Sequence, residues 1–192
     1  GLTVFDVDTA TLASATVSLT SGFVTGQDVL AFTNQNGITG SWNAGTGVLT
    51  LTGSATLANY QSALRSVTYL NTSEAPSTAT RTVAFVTSDG SASSAAATRD
   101  ISVTAINDAP VVTTTGTALA YTENDAATVV DSSLTISDVD TATLASATVS
   151  ITSGFVSVQD TLAFTNQNGI TGSWSAGTGV LTLSGSATLA NY

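Results

Sequence analysis

The chain has 192 residues, is 42% hydrophobic and carries a net charge of −10, with 13 acidic residues against three arginines (Arg65, Arg81 and Arg99) and no lysine. Cysteine, histidine and methionine are absent, which excludes thiolate and imidazole metal sites, thiol nucleophiles, Ser-His-Asp triads and disulfide staples. The charge repels nucleic acid and anionic membranes and favours divalent cations. No apolar run approaches the roughly 20 residues of a spanning helix, and no segment of this stretch reads as a signal peptide.

Taken in chain order, the pattern is β. Ala15–Thr20 alternates apolar and polar residues and is rich in β-branched side chains, as a half-buried strand requires. Asp28 follows Gln27 just before Leu30-Ala31-Phe32 and reads as a turn residue, as does Asp160. Asn36-Gly37, between LAFTN and ITGSW, predicts a hairpin, because Asn-Gly tolerates the positive φ angles of a tight turn. The glycine-rich Asn43–Gly47 turns the chain into a further strand at Val48–Thr52. Leu57, Tyr60 and Leu64 then fall at helical spacing, so a short helical turn is expected there. Further strands are expected at Ser66–Leu70, Arg81–Ser88 and Ala97–Ala105.

Residues 6–60 return at 138–192 with six differences in 55 positions, an offset of 132 residues. That period exceeds the roughly 20–50 residues of solenoid repeats, so each unit is expected to be a domain with its own core, cut from a parent longer on both sides. Pro110 follows Ala105-Ile106-Asn107-Asp108-Ala109 and cannot donate to a sheet ladder, which makes residues 107–110 the expected linker. Residues 1–106 are then one repeat without its first strands and 111–192 a second without its last. An alternative phase puts boundaries near 60 and 132. The expected architecture is a series of antiparallel β-sandwiches of the Greek-key kind.

The carboxylates are clustered. Asp6-Val7-Asp8 and Asp138-Val139-Asp140 place two acids at i and i+2, a spacing that aims both at one cation in a loop. Asn107-Asp108 marks the linker, Glu123-Asn124-Asp125 follows Tyr121, and Asp89 precedes Gly90 after a strand. Any one of these Asp residues serves equally well as a turn former. Trp42 and Trp174 read as core residues rather than sugar platforms, and Asn71-Thr72-Ser73 is a sequon of a kind common by chance.

Together these residues, with the run ALRSVTYLNTS, RTVAFVTSDG and ISVTAINDAP, resemble the cadherin-like extender repeats of giant bacterial RTX-type, type I secreted adhesins. The resemblance covers essentially the whole chain. It implies a cadherin- or Ig-like sandwich and calcium (Ca2+) at interdomain junctions, held by Glu123, by Asp138 and Asp140 (and Asp6 and Asp8), by Asp89, and by Asn107 and Asp108. Two elements of the cadherin pattern are not matched. Leu64-Arg65-Ser66 offers no carboxylate where cadherins have Asp-Arg-Glu, and Thr104 or Ala105 stands where the linker would open on an acid. Fewer or weaker calcium ions per junction follow. The glycine-rich nonapeptide of RTX β-rolls is absent.

The resulting expectation is a structural spacer of an extracellular bacterial surface adhesin, active in adhesion or biofilm formation. Calcium would stiffen its joints, and its partners would be neighbouring repeats of the same chain. The adhesive ligand would be bound by other domains, with no nucleic acid and no membrane insertion involved. The alternative is a weak glycan- or surface-binding module that acts by avidity. An enzyme is not expected, since two residues apart in one loop is a poor geometry for carboxylates to flank a scissile bond.

Overall fold

Strands form where apolar and β-branched residues alternate, and the single helix forms where they do not. The computed structural model describes all 192 residues, which divide into two units, Gly1–Ile106 and Asn107–Tyr192. In the first, β1 (Thr11–Ser21), β2 (Asp28–Ala31), β3 (Thr39–Asn43) and β4 (Val48–Thr56) precede helix α1 (Leu57–Arg65). Three strands follow it, β5 (Thr68–Asn71), β6 (Arg81–Ser88) and β7 (Ala97–Ile101). β7 ends short of Ala105, and residues 102–110 carry no regular structure.

Antiparallel pairing gives a five-stranded sheet in the order β3-β4-β1-β6-β7 and a two-stranded sheet of β2 and β5. Leu30 of the small sheet joins Val17, Leu49, Leu51 and Val83 of the large one in a single core. The unit is therefore all-β and sandwich-like, held by inward-facing residues of two sheets.

The Asn36-Gly37 turn departs from the sequence expectation. Both residues have positive φ (51° and 76°), and Gln35 and Ile38 exchange both backbone hydrogen bonds across it. The strands on either side do not pair with each other, however. β2 pairs with β5 and β3 with β4, so the turn carries the chain from one sheet to the other. Phe32 lies over Gly40, where a Cβ would come within 2.8 Å of its ring, and the Asn34 side chain accepts from Gly40 N–H at 2.9 Å. These contacts take the place of ladder pairing between residues 32–34 and β3.

That turn rests on a bulge. Between the pairs Leu12–Ala55 and Ser14–Thr52, β4 holds one residue more than β1. Opposite it the alternation of β1 breaks, so Leu12 and Ala15, three positions apart, both face the core with Val17 and Leu19, while Ala55, Leu51 and Leu49 of β4 keep even spacing. Gly53 sits in the bulge at φ 137°, and a Cβ there would lie 2.2 Å from the carbonyl oxygen of Gly37. The Gly53 carbonyl accepts from the Tyr60 hydroxyl at 2.7 Å. The bulge thus joins the 36–37 turn to the helix.

Helix α1 starts at Thr56, whose hydroxyl accepts from Asn59 N–H at 3.2 Å as an N-cap. It buries Tyr60, Ala63 and Leu64 against β1 and β4. Its other face holds the amino-terminal residues. Gln61 accepts from Val4 N–H, and the Arg65 guanidinium donates twice to the Leu2 carbonyl.

The second unit contains β8 (Val111–Thr113) paired with β9 (Thr135–Ser137), then β10 (Thr143–Ser150), β11 (Thr171–Ser175), β12 (Val180–Thr188) and a 3-10 turn at Leu189–Asn191. The last three strands form a sheet in the order β10-β12-β11 and repeat the register of β1, β3 and β4, bulge included. Gly185 approaches Gly169 as Gly53 approaches Gly37, and the Tyr192 hydroxyl donates to Gly185. The core is smaller, formed by Ile170, Leu181, Leu183 and Ala187. Residues 160–163, the counterpart of β2, form no strand.

Replacement of Gly53 by alanine combines an unfavourable φ with a clash against backbone that cannot move away. Equilibrium urea unfolding of Gly53→Ala should show a loss of about 3 kcal/mol, against less than about 0.5 kcal/mol for a change such as Thr50→Ser on the partly exposed side of the same strand.

Candidate functional site

The predicted calcium ligands form turns. Asp6 Oδ1 accepts from Asp8 N–H (2.9 Å) and Thr9 N–H (3.0 Å), and Asp138 Oδ1 accepts from Asp140 N–H (2.8 Å) and Thr141 N–H (2.9 Å). Asp89 Oδ1 accepts from Ser91 and Ala92 N–H, both at 2.7 Å. In each case one carboxylate oxygen is committed to two backbone donors two and three residues on, the geometry of an Asx turn. Donation to the charged form holds the Asp138 carboxyl below the usual range, through Thr141 and then Asp140, and that of Asp89 likewise, through Ala92 and then Ser91.

Within the second unit, Asp108 meets Asp140, but through its backbone, with Asp108 N–H donating to Asp140 Oδ2. The Asn107 amide donates to the Asp108 carbonyl at 2.6 Å. Glu123 is exposed in a turn that is closed by Asp125, which accepts from Thr122 N–H at 2.9 Å, while the Tyr121 hydroxyl donates to the Asp125 carbonyl at 2.8 Å. Nowhere do three acidic side chains converge in an arrangement able to hold a metal ion. Calcium takes six to eight oxygens; the turns engage one carboxylate oxygen each of Asp6, Asp89 and Asp138, and the second oxygen of each lies outside these bonds.

The charged site that the structure does build involves a residue expected only to turn the chain. Asp28, at the start of β2, is 2% exposed and pairs with Arg81, the fully buried first residue of β6 (Nε–Oδ2 3.2 Å). Asp28 Oδ1 also accepts from the Tyr69 hydroxyl (2.6 Å) and the Asn71 amide (2.7 Å), both on β5, and Oδ2 accepts from Val24 N–H (2.7 Å). Arg81 Nη1 donates to the carbonyls of Ser77 (2.5 Å) and Ala79 (2.6 Å), and Nη2 has no protein partner. Burial pushes the Asp28 carboxyl up, but the donors Tyr69, Asn71, Val24 and Arg81 outweigh it and hold the group below the usual carboxylate range. Burial and then the bond to Asp28 push the Tyr69 phenol up.

A signal for this pair was present in the sequence: one of only three cations stands at the head of the apolar strand RTVAFV. What spacing does not reveal is its partner, 53 residues away. Asp131 was missed as well. It accepts from Thr115 N–H (2.7 Å), Thr115 Oγ1 (3.0 Å) and Ser133 N–H (2.9 Å), which ties two loops together and holds its carboxyl low. Trp42 and Trp174 are half-buried, each packed edge-on against a phenylalanine, Phe23 at 6.3 Å and Phe155 at 6.1 Å between ring centroids.

Among known proteins, the chain is similar to Halomucin of Haloquadratum walsbyi, with 39% identity over 87 residues. The matched stretch is 43% of this chain and 1% of that protein. No family model matches, and no solved structure matches.

Removal of one partner leaves the other charge buried alone, so Arg81→Ala should destabilise the first unit by about 3–5 kcal/mol in urea titrations. The pH dependence follows from Asp28, whose folded pKa lies below the unfolded value of about 3.9. Its contribution is complete above that value and is lost as pH falls through the folded one. Stability measured between about pH 6 and pH 2 should therefore fall on acidification, and Asp28→Asn, less stable throughout, should show a shallower fall.

Proposed function

We propose that this chain is a structural repeat of a large extracellular surface protein, a spacer that sets the distance between a surface and whatever its distal domains bind. The observation that supports this most directly is the repetition. Two stretches 132 residues apart keep the same strand register, bulge and aromatic clamp, although their surroundings differ. Selection that preserves a whole framework, rather than one loop or cleft, suits units that do the same mechanical job in series. The likeness to Halomucin, a protein so long that the matched stretch is 1% of it, fits a repeat of a very large chain, and an acid-rich surface on which only Arg65 and Arg99 are basic keeps such units soluble and mutually repulsive.

The adhesin reading, with its role in attachment and biofilm formation, rests on the sequence resemblance. In our reading rigidity comes from the folded units themselves, through the Asp28–Arg81 network and the glycine bulges; calcium at the junctions, like the adhesin role, rests on the sequence resemblance. The competing reading is a glycan-binding module. It is less well supported, because both tryptophans are packed against phenylalanines and not presented as flat exposed platforms.

Two measurements test the proposal. When two, four and eight copies of the 132-residue period are displayed on a cell surface, the height of a terminal epitope should rise in proportion to copy number; a height independent of copy number would overturn the spacer reading, and binding of a single copy to a glycan array would favour the competitor. Thermal melting of the 192-residue chain should be the same in calcium and in chelator if the units are rigid by themselves, and a calcium-dependent rise would favour the junction ligands that the sequence resemblance implies.

A further inference from the structure

A spacer carries tension along its chain, and tension enters a folded unit at its two chain ends, so strand direction decides how the unit resists. In the first unit β6 lies between β1 and β7 and runs antiparallel to both. Ser14, near the start of β1, pairs with Ser88 at the end of β6, whereas Arg81 at the start of β6 pairs with Ile101, the last residue of β7. The chain therefore enters β1 at one end of the sheet and leaves β7 at the other. The residues before β1 pair with no strand and are tied to α1 by the Gln61 and Arg65 side chains.

From this we infer that the first unit is a load-bearing device: pulled between the start of β1 and the end of β7, it takes the load in shear through β6, and the Asp28–Arg81 pair anchors β6 against being dragged along with β7. The inference deepens the spacer reading and rests on it for its purpose. Hydrogen bonds of an antiparallel ladder lie perpendicular to the strands, so tension along the strands loads many of them at once. Two strands pulled from the same end part pair by pair instead. The ladder holds seven residue pairs between β1 and β6 and five between β6 and β7. The shorter joint, to the mostly exposed β7, is therefore the weaker one. Arg81 stands where load passes from β7 into β6, and its guanidinium is held by Asp28 of the other sheet and by the Ser77 and Ala79 carbonyls. For β6 to slide, a buried ion pair must break together with the ladder.

The chain has no cysteine, so introduced pairs define the pulling points in single-molecule force measurements on all 192 residues. Ala10→Cys with Ser102→Cys loads β1 and β7 from opposite ends of the sheet, and Ala10→Cys with Ser91→Cys loads β1 and β6 from the same end; all three positions are exposed. The first pair should unfold at roughly two- to threefold the force of the second, because forced unfolding follows the unfolding barrier and not the equilibrium stability. Arg81→Lys should lower the force of the first pair by roughly half and leave that of the second, which opens from Ser14–Ser88, unchanged. Tyr69→Phe, which removes one bond to Asp28, should act in the same direction more weakly and replaces the lysine variant if that does not fold. Equal forces in the two directions would overturn the inference, and a variant that lowers both forces alike would overturn the role of the ion pair as anchor. Failure of the spacer reading is separate: an array whose height ignores copy number can still show the directional force, and a unit without it can still set a distance.

Discussion

A carboxylate and a guanidinium that are both removed from solvent govern the first unit. Asp28 belongs to the small sheet and Arg81 to the large one, and Tyr69 and Asn71 bring in a third strand. Ionic groups buried this deeply are tolerated only when nearly every lone pair and proton has a partner, and that requirement fixes where the strands lie. The two sheets are therefore joined by a directional contact as well as by apolar burial. The buried core is mostly Leu, Ala and Val with one buried aromatic, Tyr60, and apolar burial of this kind is non-directional, so the ion-pair network adds the directional constraint.

The near-duplicate unit provides an internal comparison. The segment that begins at Asp28 is a strand where β5 and Arg81 stand beside it, and the closely similar segment at Asp160 is not. β-propensity is nearly the same in both, so the difference lies in pairing and in the buried charge, as expected for strands whose stability is mostly contextual. By contrast, the bulge, the Asn-Gly turn and the tyrosine clamp appear in both units. All the partners of those features lie within the duplicated stretch, residues 6–60 and 138–192.

Turn chemistry and metal chemistry draw on the same residues. Asp followed two residues later by Asp can clamp a cation, and Asp followed by free N–H groups can clamp its own loop. Here the loops are closed by the carboxylates themselves. Each Asx turn orders two or three residues beside a strand, which suits a protein with no disulfide. The extracellular spacer reading draws on repetition and architecture and is independent of any ion.

The sequence by itself determined the strands at Ala15–Thr20, Val48–Thr52 and Arg81–Ser88, the short helix around Tyr60, the all-β class and the duplication. All of these depend on periodicity, β-branching and turn residues that act over fewer than about ten positions. Tertiary structure alone decided that the strands flanking Asn36-Gly37 enter different sheets, and that Asp28 is a buried ion-pair partner rather than a turn residue. It also decided which way the acidic side chains of the Asp-x-Asp loops point. Each of these outcomes rests on a partner brought close only by folding, or on which of two equally reachable donors a carboxylate takes, and spacing along a chain carries neither kind of information.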